Sequence, residues 1–163
     1  MSIDGYFTSD YDVYKIYIVG ANGTGMGGNR LSVRYNYSGS PDSYNDYTYI
    51  TSYAYQYNGG SSGTFNGFNS WNLDYMDVGY VVNTSGTTFK SDFEFTLYRP
   101  LDANYKNMLW DCNSWDGTTT YGRWFGVGSK RQTPALSGIT IAPYAFGSGT
   151  LQVNRILVYG MKK

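Results

Sequence analysis

The chain has 163 residues, 12 basic and 12 acidic side chains, no histidine and a single cysteine, Cys112. That length suits one domain, 1–163, with a core of its own. The zero net charge offers no basic surplus for nucleic acid, and one cysteine cannot close an intrachain disulfide.

Nineteen Tyr, 8 Phe and 4 Trp supply much of the apolar area, beside 21 Gly. Negative charge comes from Glu94 and eleven Asp. This is strand-and-turn composition rather than helix composition. The opening "MSIDGYFTSDYDVYK" lacks a basic region followed by an apolar run, so it does not read as a signal peptide. No apolar run is long enough for a membrane helix. A membrane β-barrel fits poorly, because the outward strand positions are often charged or small. The expectation is therefore no membrane partner.

In chain order, alternation of apolar and polar residues dominates. "YDVYKIYIV" places Tyr14, Ile16 and Ile18 on one face, and "RLSVRYNY" does the same for Leu31, Val33, Tyr35 and Tyr37. "DFEFTLY" aligns Phe93, Phe95 and Leu97; "NMLWDC" aligns Met108, Trp110 and Cys112; "ITIA" pairs Ile139 with Ile141. Period two over short runs marks half-buried antiparallel strands. In "TLQVNRILVYG" the apolar set moves from Leu151 and Val153 to Ile156 and Val158, which predicts a bulge near Asn154 and Arg155. Between the strands lie "ANGTGMGGN", "SGSPDS", "NGGSSGTFNG", "NTSGTT", "NSWDGTT" and "FGSGT", all rich in turn residues. The pattern predicts an all-β fold: an antiparallel two-sheet β-sandwich, jelly-roll-like, with eight or nine strands.

Few motifs carry chemistry. "GTGMGG", Gly23 to Gly28, matches G-x-G-x-x-G, but strand periodicity follows it where a dinucleotide site needs a helix. It reads as a turn, and no cofactor is expected. Without histidine the Ser-His-Asp and Cys-His arrangements cannot be assembled, and zinc sites lose their usual ligands. Asp74 with Asp77, or Asp111 with Asp116, are the adjacent carboxylates a glycosidase would need, yet Asp is also a standard turn residue. "DCNSWDG" has calcium-loop donors in Asp111, Asn113 and Asp116 but lacks EF-hand spacing and the closing Glu. The expectation is no catalytic and no metal site. Trp110 and Trp124 read as core residues. Trp71 and Trp115, with Asp74 and Asp116, sit in loop-like sequence where a glycan or partner chain would find stacking and hydrogen-bonding groups.

The stretch "YTYITSYAYQY" puts Tyr47, Tyr49, Tyr53, Tyr55 and Tyr57 on one face and Ile50 and Ala54 on the other. Either the tyrosines face the core, or Ile50 and Ala54 do and the tyrosines meet another subunit. Five buried hydroxyls would demand many partners, whereas tyrosine suits an interface, so the subunit-interface reading is favoured.

"SIDGYFTSDYDVYKIYI" near the start, "FTLYRPLDANYK" in the middle and "SGITIAPYAFGSGTLQVNRILVYGMKK" at the end resemble a diffuse group of bacteriophage virion proteins. The resemblance implies a β-sandwich of the kind that forms the C-terminal module of phage fibres, homotrimeric, non-enzymatic, contacting other virion proteins or a host surface glycan. Members of that group usually carry a longer N-terminal anchoring region, whereas here Met1 stands almost at the start of the domain. The chain is thus expected to be either an isolated fibre module or a stand-alone capsid decoration protein located on the virion. The rival expectation is a monomeric carbohydrate-binding module, with the same aromatics as a sugar platform.

Overall fold

The computed structural model describes residues 1–26, 30–57, 63–81, 90–115 and 120–162. In chain order the strands are β1 (Ser2–Asp4), β2 (Tyr11–Thr24), β3 (Arg30–Tyr37), β4 (Ser40–Pro41), β5 (Tyr47–Tyr57), β6 (Gly63–Leu73), β7 (Met76–Tyr80) and β8 (Ser91–Tyr98). They continue with β9 (Lys106–Trp115), β10 (Thr120–Lys130), β11 (Gly138–Pro143), β12 (Thr150–Gln152) and β13 (Arg155–Lys162). One short 3-10 turn, Tyr144–Phe146, follows β11.

Two antiparallel sheets form a sandwich, as expected. The small sheet runs β1-β11-β3-β4, with β7 also paired to β3. The large sheet runs β12-β2-β8-β9-β10-β5-β6, with β13 also on β2. Among the described residues there are thirteen strands, more than the expected eight or nine. The additions include β1, β4 and β12, which are two or three residues long and too short to show alternation. Another is β6, read from sequence as loop.

The alternating runs bury the faces they predict. Tyr14, Ile16 and Ile18 of β2, Phe93, Phe95 and Leu97 of β8, and Met108, Trp110 and Cys112 of β9 meet Leu31, Val33, Ile139 and Ile141 of the small sheet in one core. The thiol of Cys112 is buried, and desolvation pushes its pKa up. Trp110 and Trp124 are both core residues. At the C-terminus, β12 and β13 pair with the same strand β2, separated by Val153 and Asn154. The register to β2 is the same on both sides of that break, with two residues on each strand between, so the bulge expected near Asn154 and Arg155 is not there. The shift lies on β2, between Ile18 and Ala21 against β8.

The outer side of the small sheet is covered as well. Arg30 of β3 lies over the Tyr144 ring at 4.0 Å and binds the buried Asp77 at 2.6 Å. Arg34 stacks on Phe146 at 3.8 Å and donates from Nε to the Asp74 carbonyl at 2.8 Å. The Ala145 N–H donates to Ser32 Oγ at 2.9 Å. These contacts hold Ala145 and Phe146 at φ 53° and 56°, a left-handed conformation that side chains rarely adopt.

Candidate docking face of the large sheet

The tyrosine-rich strand β5 fixes which side of the large sheet is free. Tyr47 and Tyr49 are buried, and Tyr53 and Tyr55 continue the same row half-buried. Tyr47 and Tyr49 thus face the core rather than the expected subunit interface, and the side chain of Tyr57 lies outside the described residues. The hydroxyls find partners within the protomer: Tyr47 accepts from the Tyr35 N–H at 2.8 Å and donates to the Asp42 carbonyl at 3.3 Å. On the neighbouring strand, glycines and a tryptophan stand opposite the rings. Tyr49 lies opposite Gly128 and Tyr55 opposite Gly122, while Tyr53 stacks on Trp124 at 4.2 Å. Tyrosine carries more apolar area than Ile50 or Ala54, and burial of that area decides the orientation.

Ile50 and Ala54 therefore point outward. The ladder registers carry that outer face across the sheet in rows. One row runs through Lys15, Thr96, Leu109, Val127, Ile50 and Asn69 from β2 to β6. The next runs through Tyr17, Glu94, Asp111, Phe125, Ser52 and Gly67. On the other side lie Val13, Tyr98, Asn107, Ser129, Thr48 and Trp71.

Leu109, Val127 and Ile50 are adjacent in the middle of this face and stand 41%, 42% and 53% exposed. With Val13, Tyr98, Phe125 and Met161 they line an open groove of about 680 Å³. Charges sit beside the apolar centre in pairs. Lys15 bonds to Glu94, which raises the lysine pKa, and Arg123 donates from Nε to both oxygens of Asp111 at 2.9 and 3.1 Å. An apolar centre with a neutralised polar border is the anatomy of a protein contact surface.

The residues singled out in sequence scatter around this face. Trp71 is in strand β6, not a loop, and is 78% exposed beside Thr48 on the outer side. Asp74 lies in the turn between β6 and β7 and pairs with Arg34, away from the groove. Trp115 ends β9, a strand position rather than a loop; its side chain, and the whole of Asp116, lie outside the described residues. Each described member of the carboxylate pairs is engaged by an arginine: Asp74 by Arg34, Asp77 by Arg30 and Asp111 by Arg123. Among the described residues no three Cys, Asp or Glu side chains gather as metal ligands, and no helix is long and apolar enough to cross a membrane.

No protein family, curated protein or solved structure matches this chain. What the sequence analysis missed is the outer row itself. Its members come from six different strands, so no contiguous stretch of sequence displays it.

Proposed function

We propose that this chain is a non-enzymatic structural protein of a bacteriophage virion, either a fibre module for host attachment or a capsid decoration protein. It works by docking the outer face of its large sheet on a neighbouring protein surface. The observation that carries this reading is the row Leu109, Val127 and Ile50, three aliphatic side chains left adjacent and about half exposed on the outer face of the sheet. The virion setting comes from the sequence resemblance, and so does the expectation that three copies meet as a homotrimer. A contact made by this face replaces the one expected of the tyrosines.

Solution mass by light scattering, on the wild type and on Val127→Lys, tests the reading. A wild-type mass that is a multiple of three chains, and that Val127→Lys lowers, supports it. A wild-type mass unchanged by charge at position 127, together with undiminished binding to purified particles, would sink it.

One observation favours a second reading, a monomeric carbohydrate-binding module. The exposed Trp71 indole borders a groove of about 310 Å³ shared with Thr48, Asn69 and Ser70. An aromatic face beside hydroxyl and amide groups suits a sugar ring. Tryptophan fluorescence that responds to soluble glycans, and ceases to in Trp71→Ala, would select it.

A further inference from the structure

The edges of the two sheets are protected unequally. Among the described residues the small sheet ends on one side in β1, three residues long, and on the other in β4, two residues ending in Pro41, and the buried five-residue β7. Strand β13, lying against β2 at one margin of the large sheet, carries Arg155 at its start and Lys162 at its end. Short strands, proline and charge are the ordinary devices that stop an edge from recruiting another strand. At the opposite margin stands β6, "GTFNGFNSWNL", eleven residues without Lys, Arg, Asp, Glu or Pro.

Strand β6 pairs only with β5 among the described residues, which leaves every second N–H and C=O along its other side without a ladder partner. Its described side chains bury little. Phe65, Gly67, Asn69 and Trp71 on one face and Asn66 and Asn72 on the other are all exposed. Leu73 at its end packs against the core, and hydrogen bonds to β5 are the main attachment of the exposed positions before it.

We propose that β6 is completed by β6 of a second copy of this chain, paired antiparallel about a two-fold axis, so that two large sheets become one continuous sheet. The strand directions favour this over a head-to-tail arrangement. Every neighbouring pair from β13 to β6 is antiparallel, and six such reversals leave β13 and β6 running the same way. Joining β6 to β13 of the next copy with the strand direction kept would demand a parallel ladder, the weaker pattern. A two-fold axis sets β6 against itself antiparallel, the commonest symmetry of a soluble pair.

The sequence of β6 is compatible with itself in that geometry. With the axis at the strand midpoint, Phe65 stands opposite the partner's Trp71, and Gly67 opposite the partner's Asn69. Two aromatic cross-strand pairs form on the outer face and no charges meet. The pairing concerns the margin of the sheet and does not depend on the central outer face, so Val127→Lys leaves it intact.

Charge reversal across the axis is the test. In Gly67→Lys/Asn69→Lys, like charges would face each other twice across the axis; in Gly67→Lys/Asn69→Glu, opposite charges would. The wild type is expected to contain an even number of 18.3 kDa chains by light scattering. The double-lysine variant is expected to halve that mass, with several-fold weaker association, and the lysine–glutamate variant to restore it. Unchanged thermal melting of both variants in dilute solution separates association from folding. An odd-numbered wild-type assembly would overturn the proposal. So would two variants that assemble equally well or equally poorly.

Discussion

Trp110 of β9 and Gly126 of β10 face each other across the ladder, and the indole fills the space that a side chain on Gly126 would need. A Cβ built on Gly126 overlaps the Trp110 ring and the Ile50 carbonyl oxygen. The glycine is therefore a packing surface for one of the two core tryptophans.

Gly126→Ala accordingly forces the ring or the β5 backbone to move. The expected loss is about 1–3 kcal/mol of stability, the range for overpacking a filled core. A lowered urea midpoint with an unchanged slope would bear this out. The same substitution at Gly39, where a Cβ meets nothing within 4 Å, isolates the backbone contribution, because φ there is +81°.

Lys130 is fully buried, lies 3.9 Å from the centre of the Tyr47 ring, and pairs with Asp42 at 3.0 Å and with Asp46. Lys130→Met keeps most of the side-chain volume but strands two carboxylates at the end of the sandwich. Breaking a buried pair from one side costs about 3–5 kcal/mol. Thermal unfolding should show a correspondingly large drop, and adding Asp42→Asn and Asp46→Asn should recover part of it.

Asp77 gives the fold a pH dependence. Burial raises its carboxyl pKa from 3.8 to about 6, although Arg30 opposes the rise. Between those two values the unfolded chain loses the proton while the folded chain keeps it. Stability therefore falls as pH rises from about 4 to about 6 and levels off above, by at most ~3 kcal/mol. The chain has no histidine to titrate in that window. Urea titrations at pH 4.5 and 7 should differ in this sense for the wild type, and Asp77→Asn should remove the difference.

The two faces of β5 should respond oppositely to truncation. Tyr49→Ala empties a core site and is expected to cost about 3–5 kcal/mol. Ile50→Ser, one residue away on the open face, should stay within about 0.5 kcal/mol in the isolated protomer. Equal losses would mean that the outer face is covered.

Much of the sandwich was legible because "DFEFTLY", "NMLWDC" and "RLSVRYNY" each compress one buried face into a strict period of two. Strand β6 was not, since most of its described side chains on both faces meet solvent and impose no period. The direction of the tyrosine row was misjudged for a different reason. The partners of the Tyr47 hydroxyl are backbone groups, the Tyr35 N–H and the Asp42 carbonyl, and backbone groups leave no mark on composition. The docking face escaped notice because its rows run across strands distant in sequence. Only the register brings Leu109, Val127 and Ile50 together.

The pairing of β13 with β2 also sets an order of events during synthesis. Strand β2 ends at Thr24, but the strand that closes its far side begins at Arg155. At ~5–20 residues per second a ribosome needs on the order of ten seconds to make the intervening chain. Over that interval the side of β2 that β13 later occupies stands open, with Lys15 as the one charge facing outward from its middle. A nascent chain paused before Arg155 would hold the inner strands of the large sheet and still lack its last margin. Its yield should then depend on temperature and chaperone supply more than the stability of the finished sandwich does.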